Sequence, residues 1–206
     1  MNDEFPIVAL VCSAGGLDAL RRVLAPLPAD LPVAIIALQH HDPGHVSQLS
    51  VLLQARTALS VAPAADGDAL LPGRVLVAPA GQHTLVTAEQ TIALIPSGSV
   101  PPYRPSADLL LTTLAIAAGP RVIAVVLSGA GNDAATGATA VHRFGGTVIA
   151  SSVATSEQSA MPEATFGRAN VINHVVPLSD VAALLLAIAA APSAGQPHAP
   201  RGGNHH

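Results

Sequence analysis

The stretch Ile7-Val8-Ala9-Leu10-Val11-Cys12-Ser13-Ala14-Gly15-Gly16 decides how this chain is read. An apolar run with β-branched members stops at a serine and two glycines, and helix-permissive residues follow at once from Leu17 to Leu24. Such a run reads as a fully buried strand. Its abrupt turn into a helix leaves the side chain at the turn exposed at the strand's carboxyl end. The helix start also carries unpaired main-chain N–H groups that can face an anion. Ser13 is therefore a candidate nucleophile, provided a histidine and a carboxylate reach the same edge.

Working outward, two further apolar runs end in suitable residues. Val33-Ala34-Ile35-Ile36-Ala37-Leu38 runs into Gln39-His40, and Val122-Ile123-Ala124-Val125-Val126-Leu127 runs into Ser128-Gly129-Ala130-Gly131-Asn132-Asp133. One serine, one histidine and one aspartate, each just past a buried strand, are the parts of a hydrolytic triad. The wider rhythm is βαβ, with strands predicted near 7–11, 33–38, 122–127, 147–150 and 174–177. Helices are predicted near 16–24, 45–55, 106–118, 136–144, 160–169 and 179–190. This alternation implies an α/β fold, a doubly wound and mostly parallel sheet covered by helices on both faces. Gly145-Gly146 stands where a left-handed cap should end a helix. Between 58 and 99 the helical period vanishes, and runs such as Arg74-Val75-Leu76-Val77-Ala78 and Thr84-Leu85-Val86 alternate with Gly and Pro turns. That span predicts a short antiparallel hairpin region or sheet edge. Ligands of such sheets bind outside the strands' carboxyl ends, where the winding reverses.

Composition bounds the rest. The chain has 206 residues, half of them apolar, enough for one full core over residues 1–191. Pro, Gly, His and Ala without periodicity make 192–206 an expected disordered tail. A net charge of −4 and only four aromatics (Phe5, Tyr103, Phe144, Phe166) argue against a nucleic-acid binder. There is no lysine, so Schiff-base chemistry and a P-loop lysine are excluded. The single cysteine, Cys12, excludes an internal disulfide and suits a reducing compartment. The polar opening Met1–Glu4 has no signal-peptide pattern, and the run Val181–Ala191 is too short to span a bilayer. A cytoplasmic protein without membrane insertion is expected.

Read singly, each candidate has a plainer role. Ser13 could cap the following helix, His40 could be a surface residue next to His41, and Asp133 could cap the helix that starts at Ala134. Cys12, one step back on the strand, should face the opposite side and act as a small buried hydrophobe. His83, His142 and His174 lack metal-ligand spacing, so no metal and no cofactor are expected.

The segments taken together resemble the catalytic domain of the bacterial chemotaxis receptor (protein-glutamate) methylesterase family. The resemblance rests on Ser13-Ala14-Gly15-Gly16-Leu17-Asp18-Ala19-Leu20, Leu38-Gln39-His40, Asp66-Gly67-Asp68-Ala69-Leu70-Leu71-Pro72-Gly73 and Ala78-Pro79-Ala80-Gly81-Gln82-His83. It continues through Arg104-Pro105-Ser106-Ala107-Asp108-Leu109-Leu110, Leu127–Asp133, Gly145–Ala150 and Ser159-Ala160-Met161-Pro162, in family order over roughly 5–190. It implies a serine esterase that demethylates glutamate methyl esters on the cytoplasmic helices of chemoreceptors, with glutamine deamidation in some members. Ser13, His40 and Asp133 match the nucleophile, base and orienting acid. Main-chain N–H groups around Ala14, Gly15 and Gly16 and around Ala130 and Gly131 are the candidate oxyanion donors, and Arg104 is a candidate substrate contact.

The chain departs from the family pattern in three respects. Ala14 stands where threonine is usual, Ala130 where methionine is usual, and the first strand opens about six residues in, so a form without a receiver domain is expected. The resemblance is therefore to a stand-alone form, with control expected from a separate regulatory protein or none. Two rival readings are a catalytically weakened scaffold and a nucleotide-binding α/β module. The second is disfavoured because the turn has neither G-x-G-x-x-G nor an acidic residue ending the second strand.

Overall fold

The computed structural model describes residues 5–41, 47–98, 104–168 and 170–191. The tail expected at 192–206 lies outside them, as do the first residues of the helix expected from 45. The chain runs β1 (Ile7–Cys12), α1 (Gly16–Leu24), β2 (Ala34–Gln39), α2 (Leu49–Gln54), β3 (Ser60–Pro63) and β4 (Arg74–Val77). It continues through β5 (Gln82–Val86), β6 (Ile92–Pro96), α3 (Ala107–Ala118), β7 (Val122–Val126) and α4 (Ala135–Arg143). Last come β8 (Thr147–Ser151), α5 (Ala160–Phe166), β9 (His174–Val176) and α6 (Val181–Ala190).

Among the described residues, seven strands form one parallel sheet in the order β3-β4-β2-β1-β7-β8-β9. The winding leaves β1 toward β2 and returns on its other side at β7, so the reversal lies between β1 and β7. The central strands are buried on both faces, which explains why they read as unbroken apolar runs rather than alternating ones. Alternate residues nonetheless divide between two cores. Ile7, Ala9 and Val11 pack with Ile36, Leu38 and Val126 beneath Leu110, Leu111 and Leu114 of α3 and Val141 of α4. Val8, Leu10 and Cys12 face the other way, onto Leu20 and Val23 of α1 and Leu185 of α6.

The span 58–99 divides in two. The antiparallel pair is β5–β6, with Gln82 opposite Pro96 and Val86 opposite Ile92. The runs Ser60–Pro63 and Arg74–Val77, by contrast, are parallel members of the main sheet. Four-residue strands flanked by glycine and proline carry no mark of the direction in which they pair. The hairpin packs through Val86 and Ile92 onto the α3 side of the sheet. Gly145 takes φ 84° and its N–H bonds to His142, while the N–H of Gly146 bonds to Val141, the left-handed helix end expected there.

Candidate active site

Three strand ends meet at the winding reversal. The N–H of Ser13 donates to the carbonyl of Ser128 at 2.9 Å, which ties the end of β1 to that of β7. The N–H of His40 donates to the carbonyl of Cys12 at 3.1 Å, which ties the end of β2 to the residue before Ser13. Ser13 and His40 both continue the alternation of the α3 side, two residues beyond Val11 and Leu38. Cys12 points to the opposite core with no exposed surface, as expected.

Asp133 is the most tightly held of the candidates. Its carboxylate is 2% exposed and takes a 2.8 Å contact from Nε2 of His40. It also accepts the N–H of Ala107 at 2.6 Å, the N–H of Asp108 at 2.9 Å and the hydroxyl of Ser106 at 3.3 Å. These three residues are the cap and first turn of α3, so the carboxylate sits at a helix N-terminus, where backbone dipoles favour negative charge. Burial alone pushes the Asp133 carboxyl up, but the bonds from His40, Ala107 and Asp108 outweigh it and hold it below its ordinary value. Charge-assisted bonds are worth about 1.5–3 kcal/mol each, so several together offset a desolvation penalty of several kcal/mol. Nε2 of His40 is thus directed at Asp133, and Nδ1 is the ring nitrogen that Asp133 does not engage.

The plainer roles fail in two cases. The N-terminus of α1 is capped by Gly15 in the left-handed region, φ 75°, with no side-chain bond, so Ser13 does not cap it. Asp133 caps α3 rather than the helix that follows it in sequence, whose cap position Ala134 makes no side-chain bond. His41 turns elsewhere, its Nε2 meeting the hydroxyl of Ser47 at 3.3 Å.

The glycine loops need one correction. Gly16 was a candidate oxyanion donor, but its N–H closes the turn onto the carbonyl of Ser13 at 2.9 Å. Gly16 serves packing instead, because a Cβ there would press on Cys12. Gly129, in the second loop, likewise commits its N–H to the carbonyl of Gln158. The N–H groups of Ala14, Gly15, Ala130 and Gly131 are not taken up by these turns. Ala14, Ala130 and Gly131 lie exposed at the rim. Gly129 packs against Ser13 so closely that a Cβ there would lie 3.0 Å from the Cβ of Ser13. Arg104 donates to the carbonyl of Gly98 at 3.2 Å, and its own carbonyl accepts the N–H of His41 at 3.0 Å, so it braces the segment after His40.

The first turn of α3 escaped the sequence reading. Ser106, Ala107 and Asp108 grip Asp133 across a long separation, and the sole local hint was a serine ahead of an apolar helix. Next to Gly15 and Ser128 opens a cavity of about 430 Å³, lined also by Asp18, Arg22, Thr155 and Glu157.

Comparison with known proteins bears on the family and the fold. The family model described as CheB methylesterase matches residues 8–185. A protein-glutamate methylesterase/protein-glutamine glutaminase of Moorella thermoacetica is 40% identical over 186 residues, covering 88% of this chain and 44% of that protein. The protein-glutamate methylesterase FrzG of Myxococcus xanthus is 37% identical, covering 88% of this chain and 54% of its own length. The chain thus spans about half the length of such relatives. The crystal structure of the Thermotoga maritima CheB methylesterase catalytic domain superposes with a TM-score of 0.84 at 30% identity, covering 89% of this chain and 98% of that one. By sequence and by fold, the chain belongs to the CheB methylesterase family.

Proposed function

We propose that this chain is a cytoplasmic serine esterase that hydrolyses glutamate methyl esters on the signalling helices of chemoreceptors, and that it deamidates glutamines at equivalent positions. The observation that carries the reading is the 2.8 Å contact between His40 and a buried, helix-capped Asp133, beside a serine at the winding reversal. Ser13 Oγ attacks the ester carbonyl while His40, through Nδ1, accepts its proton. The imidazolium returns that proton to the methoxide as methanol leaves. Water then attacks the acyl-serine by the reverse relay, which frees the glutamate carboxylate and restores Ser13. Asp133 fixes the ring and stabilises its cationic form without itself taking the proton.

The N–H groups of Ala14 and Gly15 on one loop, and of Ala130 and Gly131 on the other, support the oxyanion. Such donors are worth on the order of 3 kcal/mol each. Because these donors are backbone groups, alanine at 14 and 130 keeps them, which favours a working enzyme over an inert scaffold. Methanol release from methylated receptor, compared between the native chain and Ser13→Ala, tests the reading. Loss of release in the variant is expected, and equal release from both would overturn the serine mechanism.

A further inference from the structure

We propose that His83 is a positioning residue for the triad: its Nδ1 accepts the N–H of Ser106 at 3.0 Å and so holds the turn of α3 that grips Asp133. The inference rests on the esterase reading above, since it is the base of that reaction that would be misplaced. His83 lies on β5, outside the main sheet. It acts through a relay of contacts. Ser106, fixed by His83 at its N–H, gives its hydroxyl to Asp133 and caps α3 by accepting the N–H of Leu109 at 3.3 Å. Ala107 and Asp108 follow with their own N–H bonds to the same carboxylate.

Two further features support an active hold over a passive contact. First, β5 is tied to α3 at a second point, where the N–H of Val86 donates to Thr113 Oγ1 at 3.1 Å. The strand therefore runs along the helix as a splint, and His83 marks the end nearest the triad. Second, accepting an N–H at Nδ1 demands a neutral ring with its proton on Nε2. Burial lowers the pKa of His83 and outweighs the opposite pull of Asp133, which favours the neutral ring, and the Ser106 N–H selects the tautomer.

The bond makes a specific chemical demand that two substitutions separate. In His83→Asn, Oδ1 stands about where Nδ1 stood and still accepts; in His83→Leu, the volume remains but the acceptor is gone. The measurements are the rate at which a fluorophosphonate modifies Ser13, kcat and KM on methylated receptor, and the ring 15N shifts of His83 in the native protein. His83→Leu should lose roughly ten- to hundredfold in modification rate and in kcat with KM little changed, the scale of a misplaced catalytic group. His83→Asn should recover most of that loss, and the native ring should show an unprotonated Nδ1.

Native reactivity in His83→Leu, equal losses in both variants, or a native ring protonated at Nδ1 would each overturn the proposal. The ring shifts need no variant to fold. Ser13→Ala serves as the blank for the esterase reading itself, so the two ideas fail separately.

Discussion

Asp133 and Asp108 cap each other's helices. Asp133, carried on the loop after β7, accepts main-chain N–H groups at the start of α3, while Asp108, in the first turn of α3, accepts the N–H of Gly137 at 2.6 Å near the start of α4. The exchange is possible because α3 and α4 approach closely at Gly137, where a Cβ would lie 2.6 Å from the Cβ of Leu111. The charge of Asp133 opposes ionisation of Asp108, and their surroundings push the two carboxyls in opposite directions. Burial, aided by the charge of Asp133, raises the Asp108 carboxyl above its ordinary value of 3.8. The bonds from His40 and α3 hold Asp133 below it.

Stability should therefore respond to pH with opposite signs at the two sites. The folded chain binds a proton at Asp108 before the unfolded chain does, so this group's contribution is full below about 3.8 and is lost as pH rises through its raised folded value. At Asp133 the unfolded chain protonates first, so its contribution is present above about 3.8 and is lost as pH falls through the depressed folded value. Urea denaturation across pH 2–6 on the native chain, Asp108→Asn and Asp133→Asn checks this. Relative to native, Asp108→Asn should lack the stability gained on acidification toward 3.8, and Asp133→Asn should lose less stability below it. Parallel curves for all three proteins would contradict the assignment.

Replacing Asp133 should damage the reaction far more than the fold. Asn keeps the shape but removes the charge that the α3 turn and His40 surround, and its amide nitrogen can no longer accept. By analogy with triads in other hydrolases, kcat for Asp133→Asn should fall by about 10³- to 10⁴-fold. Ser106→Ala removes one of the carboxylate's donors at 3.3 Å and leaves the charge and the His40 contact, so its loss should be roughly tenfold or less. Methanol-release kinetics on the two variants measures both effects. A Ser106→Ala loss as large as that of Asp133→Asn would mean the cap, not the charge, orients His40.

Much of this was legible in the sequence, for local reasons. The helix α1 was expected over 16–24 and is found at Gly16–Leu24, because an apolar strand, a glycine turn and a periodic helix leave little latitude. Ser13, His40 and Asp133 could be singled out as strand ends. What the sequence withheld was partnership. Nothing local in Arg74–Val77 tells a parallel strand from a hairpin arm, and nothing near Asp133 says its carboxylate will seat on a helix that begins at Ala107. The bond from Ser106 to His83 bridges 23 positions between a hairpin and a helix, and only tertiary packing brings them together.

Gly129 should prove intolerant of even one methyl group. A Cβ there would collide with Met161 Sδ and press on Ser13, and Met161 is wholly buried with nowhere to retreat. The main chain cannot yield either, since the Gly129 N–H is bound to Gln158 and its carbonyl to the N–H of Met161. Gly129→Ala should destabilise the fold by about 1–3 kcal/mol, the usual penalty of overpacking. It should also slow fluorophosphonate modification of Ser13 by more than about tenfold, because a displaced hydroxyl loses its alignment. Adding Met161→Ala should remove the collision with the thioether, at the cost of a cavity where that buried side chain stood, while leaving the pressure on Ser13. Full recovery of reactivity in the double variant would show that the methionine alone transmits the damage.

The thiol beside Ser13 should be chemically silent. Cys12 has no exposed surface, its Sγ lies 3.5 Å from the carbonyl of Leu38, and burial pushes its pKa far above the ordinary thiol value. Thiolate is the reactive form, so desolvation and steric closure act in the same direction. Iodoacetamide should leave the native chain unlabelled at pH 8 and label it fully once it is unfolded in guanidinium, with mass spectrometry counting the adducts. Labelling that tracks the urea unfolding curve would place Cys12 inside the globally cooperative unit, as its position on the central strand demands. Native-state labelling without unfolding would instead require β1 to open locally, and with it the end of the strand that carries Ser13.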